Sequence, residues 1–417
     1  MKYGCIGEKL GHSFSREIHE KLAGYSYELL ELPAQELEAF MRRAPFSAVN
    51  VTIPYKQAVI PYLDALSPQA EAIGAVNTIV NRNGKLYGYN TDFLGMRALL
   101  RRAGIVLRGK KVLILGSGGT SRTARAVAAE LGAKEILIVS RQGRGGITYE
   151  QARTLHHDAQ MIINTTPCGM YPHIQDTPLD LNDFPHLEGV ADAIYNPLRT
   201  HLIQTARLKG IPAAGGLYML VAQAAYAAEY FTGEKIPQAR VEKVYRELFE
   251  SKENIVLTGM PGAGKTTVGR MLAEQLERPF LDTDELLTAE NGRTPAALIS
   301  ELGEPAFRAL ESRLIGEKIA PVTGAVVATG GGAILKDENI SNLKLNGRIY
   351  LIDRPLEQLE ATPDRPLSGS PALLRQRYAE RYQRYLDTAD YTISPALDSQ
   401  AVCREIKEDR NNENFGD

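Results

Sequence analysis

The run Gly259-Met-Pro-Gly-Ala-Gly-Lys265-Thr266-Thr267 constrains this chain most. It fits G-x-x-x-x-G-K-[ST], follows an apolar run from Ile255 to Thr258, and opens a helical pattern from Val268 to Leu276. A strand, a glycine loop and a helix N-terminus in that order aim backbone N–H groups at one point. The helix dipole favours negative charge there, and a lysine can reach terminal phosphates. Gly262, Ala263, Gly264, Lys265, Thr266 and Thr267 are therefore the candidate nucleotide-phosphate residues, a plain glycine turn being the competing reading. The loop starts only after residue 250, so something else fills the first half.

A length of 417 residues fits two or three domains at the usual 100–200 residues each. The formal net charge of −2 argues against a nucleic-acid or anionic-membrane surface. Cys5, Cys168 and Cys403 are far apart and form no C-x-x-C, which fits a reducing compartment and no zinc site. The N-terminus carries charges where a signal peptide needs an apolar stretch, and no run approaches the ~20 apolar residues of a membrane span. A cytoplasmic protein is the expectation, with no nucleic-acid or membrane partner; the oligomeric state is not legible.

Residues 1–100 alternate strand signals (Tyr3–Ile6, Tyr27–Leu30, Ala48–Ile53) with helical ones (Gln35–Arg43, Asp92–Arg102). Asn83-Gly84, between Thr78–Asn81 and Lys85–Tyr89, is a type I′ hairpin signal. Strands separated by helices predict a mostly parallel, helix-covered sheet. A second unit begins near Arg108 with the strand Lys111–Leu115, the turn Gly116-Ser-Gly-Gly-Thr-Ser121, the helix Arg122–Leu131 and the strand Glu135–Val139. Strands at Met161–Asn164 and Val190–Ala193 follow, and a helix over Leu217–Phe231 is expected to return to the first region. The expected domains are 1–105 with 217–250, then 106–216, then 253–407. A charged amphipathic helix, Gln238–Lys252, ends at the junction, and the polar tail 408–417 is expected to be disordered.

Gly-x-Gly alone is weak, but here it lies between a strand and a helix, as in a dinucleotide turn. Gly116 permits the turn, Gly118 lets backbone approach a pyrophosphate, and Ser117, Gly119 and Thr120 complete the cradle. NAD sites place an acid about 20 residues on. This strand ends instead in Ser140-Arg141-Gln142-Gly143-Arg144, and two arginines can clamp a 2′-phosphate. NADP(H) is the expected cofactor; solvated loop arginines are the alternative.

Further short segments carry a resemblance. Residues 1–250 resemble shikimate dehydrogenase through Gly11-His-Ser-Phe-Ser15, Asn50-Val-Thr-Ile-Pro-Tyr-Lys56, Gly74-Ala-Val-Asn77, Asn90-Thr-Asp92, the Gly116 turn and Leu220-Val-Ala-Gln223. Residues 253–400 resemble shikimate kinase through the phosphate loop, Asp282-Thr-Asp284, Gly303-Glu-Pro-Ala-Phe-Arg308, Thr329-Gly-Gly-Gly332, Arg365-Pro-Leu and Arg381 ahead of Ala389-Asp390. The expected architecture is α/β throughout: a substrate domain, a Rossmann NADP domain and a P-loop kinase domain with a parallel sheet.

The resemblance implies a catalytic Lys56–Asp92 dyad, with Ser13, Ser15, Thr52, Asn77, Gln223 and Tyr195 on the substrate and Gly216 on the cofactor. Hydroxyls and amides suit a polyhydroxy acid because each both donates and accepts; for Ser13 and Ser15, helix caps and turns remain the alternative. In the second half it implies Thr266 and Asp282 on Mg²⁺ and Asp284 as base. It also implies Arg308 and Arg381 as a carboxylate clamp, Gly331 and Gly332 on the substrate, and Arg365 on ATP. If Phe280–Asp284 is extended, both acids face one way; helix capping is the alternative for them. Two departures stand out: Arg16 replaces a common proline, and 144–161 leaves little room for a helix. The implied activity is reduction of 3-dehydroshikimate to shikimate and ATP-dependent phosphorylation of shikimate. A sensor without catalysis and a quinate/NAD oxidoreductase are the other readings.

Overall fold

The computed structural model describes residues 1–11, 14–143, 145–359, 370–394 and 398–412. Ser13, Arg144 and Arg365 lie outside the described residues.

Three sheets follow one another along the chain. The first holds β1 (Tyr3–Gly7), β2 (Glu28–Glu31), β3 (Ala48–Val51), β4 (Ala65–Leu66), β5 (Thr78–Arg82) and β6 (Lys85–Tyr89) in the order β2-β1-β3-β5-β6-β4. β1 pairs parallel with β2 and β3, and β4 with β6, but β5 runs antiparallel to both its neighbours. The cause is the Asn83-Gly84 turn, where both residues take positive φ (54° and 84°), as a type I′ turn requires. Helices α1 (Ser15–Ala23), α2 (Leu37–Arg43), α3 (Pro68–Ile73) and α4 (Thr91–Arg102) cover it. The short β4 and α3 escaped the periodicity reading because neither is long enough to show a period.

The second sheet is wholly parallel: β7 (Lys111–Leu115), β8 (Glu135–Val139), β9 (Met161–Asn164), β10 (Gly189–Asp192) and β11 (Ala213–Ala214), ordered β11-β10-β9-β7-β8. Val112 and Ile114 enter one core while Leu113 and Leu115 enter another, so both faces are covered. α5 (Gly119–Glu130), α6 (Tyr149–Leu155) and α7 (His201–Leu208) connect the strands. α6 corrects an expectation: the short stretch does hold a helix, because Thr148 and Gln151 close a reciprocal capping box that stabilises two turns. α8 (Leu217–Thr232) then crosses back onto α4 and α1. α9 (Gln238–Lys252) buries Val241, Val244, Tyr245, Leu248 and Phe249 in the same core.

The third sheet, also parallel, holds β12 (Asn254–Thr258), β13 (Phe280–Asp282), β14 (Val326–Ala328), β15 (Gly347–Ile352) and β16 (Tyr391–Ile393), ordered β13-β14-β12-β15-β16. Ile255 and Leu257 pack to one side and Val256 to the other. Around it lie α10 (Lys265–Leu276), α11 (Thr283–Asn291), α12 (Pro295–Leu302), α13 (Glu304–Leu314), α14 (Asp337–Asn346), α15 (Pro371–Thr388) and α16 (Ser399–Asn412). α16 corrects the disordered-tail reading for 408–412. Asp409 accepts from Tyr350 and pairs with Arg348, and Arg410 reaches the buried Glu253, so charges that look like a solvated tail have fixed partners. No described helix is long and apolar enough to cross a membrane.

Candidate active sites

The first site forms where β3, the end of β6 and α8 meet. Lys56 lies in the turns after β3, and its Nζ donates to Asp92 Oδ2 at 2.6 Å. Asp92 is fixed because Asn90 caps α4, accepting from the Phe93 amide. Asn77 is buried, and its Oδ1 accepts from the Thr91 amide at 2.7 Å while its Nδ2 donates to Thr91 Oγ1. Thr91 also reaches Gln223 Oε1 at 3.3 Å. That approach needs Gly95: a Cβ there would lie 2.7 Å from the Met219 carbonyl and 2.8 Å from Gln223 Cβ, so only glycine lets α4 and α8 come this close. Thr52 hangs its backbone on Ile6. Ser15 opens α1, and next to it Phe14 meets the Tyr195 ring at 5.7 Å. Burial raises the Tyr195 hydroxyl pKa. Arg16 donates from Nε to the Tyr27 carbonyl at 3.1 Å.

The glycine turn opens α5, which packs against α3 and α4 of the first unit. Gly116 has φ +107°, and a Cβ on it would lie 2.9 Å from Thr165 Oγ1. By contrast, nothing stands within 4 Å of a Cβ built on Gly118 or Gly119, so the turn opens onto free space at the N-terminus of α5. Ser117 is exposed and Thr120 half-buried beside them. Gly216 bonds its amide to Ile194 O and has no room for a Cβ against Ala193. Arg141 stands exposed just beyond β8. The two units touch: with its amide turned so that the oxygen faces the guanidinium, Gln57, beside Lys56, accepts from Arg122 Nη1 at 2.8 Å and Nη2 at 3.0 Å.

The second site forms at the carboxyl ends of β12, β13 and β14. Gly259, Gly262 and Gly264 take positive φ, and Lys265 folds over the loop onto the carbonyls of Gly259 and Met260. Ala263 is buried, and Thr267 is exposed one residue beyond Thr266. Thr266 Oγ1 donates to Asp282 Oδ2 at 2.8 Å, while Asp282 Oδ1 caps α11 by accepting from the Asp284 amide. The capping and metal readings of Asp282 are thus not exclusive, because it has two oxygens. Asp284 corrects the extended-strand expectation: β13 stops at Asp282 because that cap starts a helix, and Asp284 lies in its first turn.

Asp284 still faces the site. A Cβ on Gly330 would lie 2.8 Å from Asp284 Oδ1 and 2.7 Å from Glu311 Oε1. A Cβ on Gly331 would lie 3.0 Å from Pro261 of the phosphate loop, and one on Gly332 would strike the Arg308 guanidinium. Arg381 and Tyr385 both donate to the Gly331 carbonyl. Arg308 pairs with Glu311 at 2.6 Å and with Glu304 at 3.3 Å. Burial raises the Glu311 carboxyl and lowers the Arg381 guanidinium.

Thr91, Glu304, Glu311 and Tyr385 bond to the candidate site residues without having been singled out in the sequence. Glu311 stands three residues after Arg308, and Tyr385 four after Arg381, one helical turn each. That spacing was the available signal.

An oxidoreductase unit with a dinucleotide turn, joined to a phosphotransferase unit with a phosphate loop, is the class these sites define. Residues 5–79 match the shikimate dehydrogenase substrate binding domain, 216–244 the shikimate 5'-dehydrogenase C-terminal domain, and 261–410 shikimate kinase. A shikimate dehydrogenase (NADP(+)) of Clostridium perfringens is 36% identical over 265 residues, which cover 59% of this chain and 97% of that protein. The Halothermothrix orenii counterpart is 39% identical over 262 residues, covering 56% and 91%. A chorismate mutase/shikimate 5-dehydrogenase fusion protein from Clostridium acetobutylicum superposes with a TM-score of 0.56 at 34% identity, over 60% of this chain and 97% of that one. Shikimate 5-dehydrogenase from Thermus thermophilus, solved with NADP(H) and shikimate, gives 0.53 at 30% identity, over 59% and 99%. The chain belongs to the shikimate dehydrogenase family and carries a shikimate kinase domain toward its C-terminus, which makes it a bifunctional enzyme of the shikimate pathway.

Proposed function

We propose that the chain reduces 3-dehydroshikimate to shikimate with NADPH and then phosphorylates shikimate to shikimate 3-phosphate with Mg-ATP. What supports this reading is that the Lys56–Asp92 pair adjoins Gln57, which Arg122 of the helix after the Gly116 turn reaches, and that Asp284 and Pro261 of the Gly259 loop both border the Gly330-Gly331 turn. We assign 1–105 with 217–250 to substrate binding, 106–216 to NADP(H), and 253–412 to the kinase. A cytoplasmic setting accords with three unpaired cysteines.

In the first site NADPH, when bound, supplies the hydride. Lys56 holds the ketone oxygen and stabilises the negative charge that develops on it, and Asp92 orients Lys56 and binds a ring hydroxyl. Ser13, Ser15, Thr52, Asn77, Gln223 and Tyr195 hold the ring acid. Arg141, with Arg144, clamps the 2′-phosphate, and no acid competes for that corner.

In the second site, Lys265 and the loop amides hold the β- and γ-phosphates while Asp284 accepts the proton of the attacking hydroxyl. Arg308 and Arg381 hold the substrate carboxylate, and Arg365 joins the phosphates. The hydroxyl–carboxylate pair Thr266–Asp282 fits Mg²⁺, which takes few protein oxygens and shares the rest with phosphate and water. When bound, Mg²⁺ neutralises charge on the transferring phosphoryl group.

Incubating the purified chain with 3-dehydroshikimate, NADPH and Mg-ATP tests both steps. Shikimate 3-phosphate is expected by mass spectrometry, with NADP⁺ and ADP. Shikimate that accumulates unphosphorylated refutes the kinase reading, and unreacted 3-dehydroshikimate refutes the dehydrogenase reading.

A further inference from the structure

The two halves are not joined by a loose linker. Glu253, the residue after α9, is 1% exposed and pairs with Arg199 from the second sheet's unit and Arg410 from α16. Arg278 and Arg410 add bonds to the carbonyls of Glu253 and Glu250. Next to this centre, Asn346 at the α14–β15 junction is fully buried. Its Oδ1 accepts from the Leu198 amide at 2.9 Å, and its Nδ2 donates to the Ala320 carbonyl at 3.0 Å. The Arg199 amide donates to Leu345 O at 2.9 Å, and Ile174 packs against Ala320 and Leu345. A buried charge with several fixed partners sets orientation more surely than it adds stability.

What this contact holds is a loop of the first active site. Residues 193–199 leave β10 with Ile194 bonded to Asp192 and to Gly216, and Tyr195 set against Phe14. Three residues later, Leu198 and Arg199 are bonded to the kinase half. Lys252, which precedes Glu253, places its Nζ 4.7 Å from the Phe14 ring. Both members of the aromatic pair at the substrate site are therefore tied to the same junction. The Clostridium perfringens relative is covered to 97% by 59% of this chain, so this support belongs to the fused arrangement.

We propose that the kinase half is the mount for the dehydrogenase substrate loop, with Arg199 and Asn346 as positioning residues for the reduction. They touch no substrate; they fix where Tyr195 stands. This deepens the functional reading given above and rests on it. The device predicts that loosening the junction weakens binding of the ring acid while NADPH binding and phosphorylation persist.

The test uses Arg199→Met in the full chain, which removes the guanidinium's contacts to Glu253 and the Phe249 ring and leaves Glu253 paired with Arg410. The expected result is a KM for 3-dehydroshikimate raised about fivefold or more, with KM for NADPH and the kinase kcat within twofold, and partial rescue in Arg199→Lys. The chain has no tryptophan, so Tyr195→Trp gives a single emitter at the loop. Its anisotropy should fall when Arg199→Met is added. Unchanged anisotropy together with unchanged KM overturns the mount. A parent chain that reduces nothing while the anisotropy still falls overturns the functional reading instead. Should Arg199→Met fail to fold, Ser341→Ala, which removes the hydroxyl's contacts to His201 and Gln204 and keeps the Gln204 bond to the Ser341 carbonyl, is read in the same way.

Discussion

Gly330→Ala isolates the kinase geometry. The backbone of Gly330 cannot retreat, because its amide donates to the buried Thr283 hydroxyl at 2.8 Å. Its φ lies outside the left-handed region, so the substitution adds no backbone strain. The whole effect is the new methyl, which would lie 2.7 Å from Glu311 Oε1 and 2.8 Å from Asp284 Oδ1. Glu311 is buried and held by Arg308, so Asp284 is the group that swings, by roughly half an ångström. Since a displacement of about 1 Å costs on the order of 10²-fold, we expect kcat for phosphorylation to fall about 10- to 100-fold, about 1.4–2.7 kcal/mol of barrier. Overpacking adds about 1–3 kcal/mol of destabilisation. The assay is shikimate-dependent ADP release, with NADPH oxidation by the same molecule as the internal standard. Asp284→Asn sets the floor: it should bind ATP and phosphorylate nothing. A Gly330→Ala chain phosphorylating within threefold of the parent would refute the placement of Asp284 at the reacting hydroxyl.

The remaining expectations concern the first half and the pH response. Lys56→Ala should lower the reduction kcat by several orders of magnitude and leave substrate binding largely intact; near-normal turnover would remove Lys56 from the chemistry. Arg141→Ala should lower the NADPH/NADH preference measured by kcat/KM, and an unchanged ratio would refute the 2′-phosphate clamp. Burial holds the His19 imidazole down at about 3, so as pH falls below its ordinary 6.5 the unfolded chain takes up the proton first and stability is lost. Burial pushes the Asp192 carboxyl up to about 7 from 3.8, so its contribution is present below 3.8 and lost as pH rises to about 7. Between about 4 and 6.5 these slopes oppose, each about 1.4 kcal/mol per pH unit. In Asp192→Asn the urea midpoint should therefore climb with pH across that window more steeply than in the parent; parallel curves would show that Asp192 is not the opposing group.

The segments legible in sequence were those whose chemistry is local. The Gly259 loop could be read because its glycines must take positive φ, and Asn83-Gly84 could be read for the same reason. The central strands showed as apolar runs because both their faces are covered. What escaped depends on distant partners. Asp282 ended its strand early because one oxygen caps α11 while the other meets Thr266. Asp409 and Arg410 continued a helix because Tyr350, Arg348 and Glu253 receive them. Thr91 gained its place between Asn77 and Gln223 only through the close crossing of α4 and α8 at Gly95.

The two sites present different charge to what is read as one ring acid, and the difference follows the reactions. Around the first, Asn77, Thr91, Thr52 and Gln223 are neutral, and Lys56 already has its partner in Asp92. Hydride addition to a ketone develops a single negative charge on one oxygen, and one lysine with one acid can manage both charge and proton. Around the second, Arg308, Arg377 and Arg381 surround the two carboxylates Glu304 and Glu311, and Lys265 stands on the phosphate loop. In the proposed phosphoryl transfer a carboxylate and a polyphosphate come together, and the four cations, matched beforehand by the carboxylates of Glu304, Glu311, Asp282 and Asp284, are shared with them. Glu304 and Glu311 keep the three arginines from repelling one another, and an arriving carboxylate replaces part of that pairing.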